Sequence, residues 1–137
     1  MLHNTKSILY VDDDEDDRLL LQEAISMIGE PVEVHTAENG LEALKLLSTW
    51  KENKGQPPCL IILDLNMPFL DGRQTFQRLK RDEQLCDVPV MIYSSSKKPL
   101  DSQHFESLGV TYITKPSDLK HLVVVAQMMV AECCRRA

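Results

Sequence analysis

The sequence has no apolar run long enough to cross a membrane. Its N-terminus has no secretory pattern, because Met1 to Ser7 is polar and Ile8 to Val11 is too short for a signal core. It has no basic surplus: 15 Lys and Arg stand against 21 Asp and Glu, for a net charge of −6. That balance argues against direct nucleic-acid binding through a general basic field and against a polybasic membrane contact. Metal-binding cysteine patterns are missing too. Cys59, Cys86, Cys133 and Cys134 show neither C-x-x-C nor Cys/His zinc spacing. Cys59 and Cys86 flank apolar runs and read as small core or edge residues. Without a disulfide framework, the chain fits the cytoplasm. His3, His35, His104 and His121 have no ligand spacing and read as structural or exposed. Repeats, low-complexity tracts and linkers are absent, so residues 1–137 are expected to form a single domain with its core at about 7–131.

What is present is an alternation of strand-like and helix-like segments. Ser7–Val11, Val32–Thr36, Cys59–Leu63, Val88–Tyr93 and Val110–Thr114 read as strands. Between and after them, helices are expected over Asp14–Ile28, from Asn39 as N-cap through Leu47, over Gly72–Gln84, over Leu100–Leu108, and from Ser117 to about Cys134. In the first helix, Leu19, Leu20, Ala24, Ile25 and Ile28 supply the apolar periodicity, and Gly29 stops it. Trp50 reads as a cover on the end of the second helix. Lys51–Pro58 ends Gly-Gln-Pro-Pro and is a loop. Five β-α units argue for a three-layer α/β fold with a parallel sheet covered on both faces.

In such a fold, every strand delivers its carboxyl end to one edge, where ligands bind. Strand one brings Asp12, Asp13 and Asp14 there. Strand three, the apolar run Leu60-Ile61-Ile62-Leu63, brings Asp64, with Asn66 just beyond and Pro68 fixing an extended turn. Strand four brings Ser94, Ser95 and Ser96, and strand five brings Lys115 followed by Pro116. Clustered carboxylates repel one another unless a cation sits among them. Mg²⁺ is the cation that suits one or two carboxylates and leaves room for a phosphoryl oxygen. A carboxylate can attack phosphorus, and positioned cations stabilise the transfer.

The set Val11-Asp12-Asp13, Leu63-Asp64-Leu65-Asn66-Met67-Pro68 with Asp71-Gly72, Pro89 to Ser94, and Tyr112-Ile113-Thr114-Lys115-Pro116 resembles the receiver domain of two-component response regulators, of the single-domain, chemotaxis-regulator-like kind. The resemblance spans roughly Ser7 to Ala131. It implies a flavodoxin-like sheet of five parallel strands in the order 2-1-3-4-5, with five helices. It implies Asp64 as the phosphoacceptor that forms an aspartyl phosphate. Asp13 would bind Mg²⁺ directly, Asp12 would help, and Asn66 would offer its backbone carbonyl. Ser94 and Tyr112 would be the switch pair, Lys115 would contact the phosphoryl group, and the bond to Pro116 is one that can be cis. The implied partners are a sensor histidine kinase or phosphotransfer protein as donor, and a protein reading the face of helix four, strand five and helix five. Neither nucleic acid nor membrane is implied. The activity implied is that of a signalling phosphoacceptor that assists its own phosphoryl transfer and dephosphorylation. With no DNA-binding segment after residue 137, output through a protein partner or onward phosphotransfer is expected; the alternative is that the chain is an excised domain of a larger protein.

The sequence departs from the commonest receiver pattern at Ser95, where a smaller residue is usual, and in the length of the loop Ser48–Pro58, read as a surface insertion. Asp16 and Asp17 read as a solvated helix start, where acids are favoured. Two other functions compete. Asp12-x-Asp14 also resembles the nucleophile motif of haloacid-dehalogenase-type phosphohydrolases, but only Asp118 is near for their later acidic motif, and Asp64 is left unexplained. A receiver fold kept only for binding would have no need of the intact acidic pair, Asp64, Ser94 and Lys115.

Overall fold

The computed structural model describes residues 6–135. Five parallel strands, β1 (Lys6–Val11), β2 (Val32–Ala37), β3 (Leu60–Leu63), β4 (Val90–Ser94) and β5 (Thr111–Thr114), pair in the order β2-β1-β3-β4-β5. The helices are α1 (Glu15–Ile28), α2 (Gly40–Glu52), α3 (Gly72–Arg81), α4 (Pro99–Ser107) and α5 (Leu119–Arg135). The expected strand order and the five β-α units are both present.

Residue alternation along the central strands divides the core in two. Leu9, Val11, Ile61 and Leu63 face a layer with Leu47 of α2, Phe76 and Leu79 of α3, and Phe105 of α4. Ile8, Tyr10, Leu60 and Ile62 face Leu21 and Ile25 of α1 and Leu122, Ala126 and Met129 of α5. β3, and β1 from Ile8 onward, are buried on both faces, which is why these stretches are continuously apolar rather than alternating.

Helix starts follow local chemistry. The Asp14 side chain accepts from Asp17 N, the Asn39 side chain from Glu42 N, and Asp71 forms a reciprocal capping box with Gln74. Gly29, at φ 83°, ends α1 in the left-handed conformation that glycine takes without a Cβ clash.

Several expectations need correction. On α1 the buried stripe is Leu21, Ala24 and Ile25, while Leu19 and Leu20 are exposed, because the helix rotates to put Leu21 three and four residues before its partners. β4 begins at Val90 and includes Ser94, and α3 stops at Arg81 because Asp82 turns extended. α2 continues to Glu52, so much of the supposed insertion is helix, with Trp50 packed against the core and edge-on to His35. The cysteines are not all unpaired. Cys59 and Cys133 form a disulfide with a Cα–Cα distance of 5.0 Å. The contact arises because α5 lays its last turn on the leading end of β3, across 74 residues of sequence. His3 lies outside the described residues. No described helix is long and apolar enough to cross a membrane.

Candidate functional site

Backbone hydrogen bonds carry the sheet past its strands and fix the site residues. Asp12 N–H donates to the Ala37 carbonyl at 3.0 Å, Asp64 N–H to the Val11 carbonyl at 3.0 Å, and Lys115 N–H to the Ser94 carbonyl at 2.8 Å. Each side chain is therefore placed by a rigid ladder rather than by a free loop. Below Asp64, α3 packs unusually close. A Cβ on Gly72 would stand 2.1 Å from the Asp64 carbonyl oxygen, so only glycine lets Gly72 N–H reach the Leu65 carbonyl at 3.0 Å.

Carboxylate oxygens of Asp12, Asp13 and Asp64 lie within 4.8 Å of one another. Asp12 and Asp64 are buried and Asp13 is exposed. Asp12 Oδ2 accepts from the buried Tyr10 hydroxyl at 2.5 Å and sits 2.7 Å from Lys115 Nζ, while Asp12 Oδ1 accepts from Asp14 N–H at 3.0 Å. Asp64 Oδ1 accepts from Leu65 N–H at 2.8 Å, and its Oδ2 is 3.5 Å from Lys115 Nζ. Burial raises the Asp64 carboxyl to about 6; Lys115 opposes that rise, Asp12 adds to it, and the Leu65 N–H and Ser94 hydroxyl bonds oppose it. Burial alone would lower the Lys115 pKa, but hydrogen bonds to Asp12 and Asp17 and the Asp64 charge raise it above its ordinary value. Three converging hard-oxygen donors, two of them buried, form a set that fits a small divalent cation.

The structure thus brings together Asp12, Asp13, Asp64, Ser94 and Lys115. Asn66 lies exposed two residues past Asp64. Tyr112 stacks on Phe105, and its hydroxyl donates to the Ser96 carbonyl at 2.9 Å. The bond to Pro116 is trans, like every described peptide bond, which corrects the cis expectation; trans is also the form a proline amide intrinsically prefers. Asp14 and Asp118 are helix caps, with Asp118 accepting from His121 N–H at 2.8 Å, so neither joins the acidic cluster as a phosphohydrolase would need.

Three contributors were not read from the sequence. Asp17, taken for a solvated helix acid, holds Lys115 Nζ at 2.8 Å. Tyr10 lies inside the first strand, and nothing local in the sequence shows that its hydroxyl meets Asp12. Arg18 donates from Nη1 to the Asp12 carbonyl at 2.8 Å. For Asp17 a signal existed: it lies one turn beyond Asp13 on a helix that begins at the sheet edge.

Comparison with known proteins gives one consistent family. The model of the response regulator receiver domain matches residues 8–127. The chain is similar to the response regulator Rcp1 of Synechocystis, at 34% identity over 89% of this chain and 84% of that one. It is also 33% identical to the DNA-binding transcriptional regulator RpaA of Synechocystis, covering 85% of this chain but only 45% of RpaA. Among solved structures, the phosphorylated cyanobacterial phytochrome response regulator RcpA superposes with a TM-score of 0.83, at 34% identity over 96% of both chains. The Mn(2+)-bound form of Rcp1 gives 0.77, at 30% identity over 92% of both.

Proposed function

The chain belongs to the response regulator receiver domain family, and from that premise we propose that Asp64 accepts a phosphoryl group from a phosphohistidine of a sensor kinase or phosphotransfer protein. A bond forms between an Asp64 oxygen and phosphorus as the phosphorus–nitrogen bond breaks, and the histidine, whose other ring nitrogen already carries a proton, departs as neutral imidazole. The observation that carries this reading is the cluster of Asp12, Asp13 and Asp64 with Lys115 Nζ in reach of two of them.

Mg²⁺ is the cation proposed, held by Asp12, Asp13, Asp64 and the Asn66 carbonyl; when bound, it supplies charge neutralisation for the incoming phosphoryl oxygens. The chain's own residues do the rest. The cluster's second carboxylate, Asp12, is oriented by Tyr10 and Asp14. Lys115 favours the ionised form of Asp64 and stands ready to pair with a phosphoryl oxygen. Ser94, buried beside the acidic cluster, turns its hydroxyl to the phosphoryl group, and Tyr112 follows. The new charge biases a two-state equilibrium that a protein partner reads on the α4–β5–α5 face.

We take residues 1–137 to be one receiver domain acting in the cytoplasm, where the Cys59–Cys133 bond is exposed to reduction. This is a phosphoacceptor that assists its own transfer and hydrolysis rather than a turnover enzyme.

The test is incubation with acetyl phosphate and Mg²⁺, read as intact mass. Wild type gains one base-labile phosphoryl group; Asp64→Asn gains none, and chelation of Mg²⁺ abolishes the gain. Labelling retained in Asp64→Asn sinks the assignment of Asp64.

A further inference from the structure

Ser96 sits at a junction that the reading above leaves unused. Its N–H donates to Ser94 Oγ at 3.2 Å, and its carbonyl accepts from the Tyr112 hydroxyl at 2.9 Å. Its own hydroxyl donates to Asp101 Oδ2 at 2.7 Å and accepts from Lys98 N–H at 3.3 Å. One residue therefore touches both members of the switch pair and hands them to a third group, Asp101.

Asp101 is itself anchored. Its Oδ1 takes a short charge-assisted hydrogen bond from Arg73 Nη2, and its side chain is only 12% exposed. Arg73 is the second residue of α3, directly after Gly72, whose backbone packs on the Asp64 carbonyl. The N-cap position of α4, Lys98, offers no side-chain cap, so the polar anchor of this helix start is Asp101. The contacts form a chain: from Asp64 through Gly72 and Arg73 to Asp101, and on through Ser96 to Ser94. The chain ties the segment carrying the attacking carboxylate to the segment carrying the Ser94 hydroxyl. An isolated exposed ion pair would do little. A half-buried pair that also receives a loop hydroxyl fixes geometry, and small errors in placing a reacting group are costly.

We propose that Asp101, anchored by Arg73 and acting through Ser96, is a positioning residue for the Ser94 hydroxyl in phosphoryl transfer to Asp64. The proposal rests on the reading of Asp64 as phosphoacceptor. It gives Ser96 and Asp101 a job at a distance: they never touch the phosphoryl group, and their removal acts only by letting Ser94 drift.

The experiment measures the rate of labelling by saturating acetyl phosphate, and separately the affinity for MgCl₂ alone by titration calorimetry. Ser96→Ala and Asp101→Ala are each expected to slow labelling three- to tenfold, with Mg²⁺ affinity within twofold of wild type because the acidic cluster is untouched. Ser96→Thr, which keeps the hydroxyl, restores most of the rate. In a Ser94→Ala background, Asp101→Ala has no further effect, since the group it positions is gone. Rates within twofold of wild type for both single variants, or an equal loss in the Ser94→Ala background, overturn the proposal. If Asp101→Ala does not fold, the contrast between Ser96→Ala and Ser96→Thr decides alone. A wild type that takes no label overturns the Asp64 reading itself, and the proposal with it.

Discussion

A methyl group at residue 72 would have to share space with the Asp64 carbonyl oxygen, 2.1 Å away, and with the Leu65 Cα, 2.8 Å away. Both obstacles are backbone, so no side chain can swing aside. Gly72→Ala must push α3 off β3, and such overpacking costs about 1–3 kcal/mol. We expect urea denaturation to show a loss near the upper end of that range, together with slower labelling of Asp64. A loss below about 0.5 kcal/mol would mean that the close approach is not needed. Asp17 shows the opposite case at the same scale. Its carboxylate is a common choice near a helix start, yet it holds the site lysine. Asp16 and Asp17 are both aspartates of the first turn of α1; the one-residue step around the helix separates an exposed acid from a partner of Lys115.

At the scale of elements, α5 is tied to the sheet at its far end by two devices. Lys6 Nζ, at the start of β1, donates to the Cys133 carbonyl at 3.0 Å, satisfying an acceptor that the helix end leaves open. Cys133 is also bonded to Cys59, just before β3. A cross-link over a span of this length stabilises mainly by restricting the unfolded chain, typically by about 2–4 kcal/mol. Reduction should therefore lower the melting temperature, Cys133→Ser should match the reduced wild type, and Cys86→Ser should leave the drop on reduction intact. Alkylation of the denatured, unreduced protein should modify two of its four cysteines; modification of all four would refute the bond. Helix starts were mostly readable, because Asp14, Asn39 and Asp71 cap through local geometry. Helix rotation was less so: three consecutive leucines, Leu19, Leu20 and Leu21, offer three phases, and only packing against the sheet selects Leu21.

For the whole molecule, the buried Asp64 carboxyl should appear in the pH dependence of stability. The Asp64 carboxyl is raised to about 6, above the ordinary carboxylate value. Between those two values the folded protein keeps a proton that the unfolded chain has released. Stability from this group is therefore present at the acid side of the window and falls as pH rises through about 4 to 6. Asp82, Asp101 and Asp118 are shifted the other way, so their contributions are lost only as pH falls below the ordinary carboxylate range. Thermal melts in chelator should show the falling limb. Mg²⁺ should flatten it, and Asp64→Asn should abolish it while stabilising the metal-free protein at neutral pH by on the order of 1–2 kcal/mol. A melting curve for Asp64→Asn with the wild-type slope would contradict this electrostatic picture.

By itself the sequence determined whatever depends on neighbours along the chain. The apolar runs and, at Val32–Thr36, an alternating pattern set the strands, and the capping residues set where several helices begin. The parallel β-α alternation sent Asp12, Asp13, Asp64, Ser94 and Lys115 to one edge of the sheet, because parallel strands all end on the same side. The tertiary structure decided what depends on rotation and long-range approach. It turned α1 so that Leu21 is core and Asp17 reaches Lys115, aimed the Tyr10 hydroxyl at Asp12, and joined Arg73, Asp101 and Ser96 across two helices. It also brought Cys59 to Cys133. Local propensity is a property of a few consecutive residues, whereas these contacts require the relative placement of whole elements, which packing of the two apolar layers alone fixes.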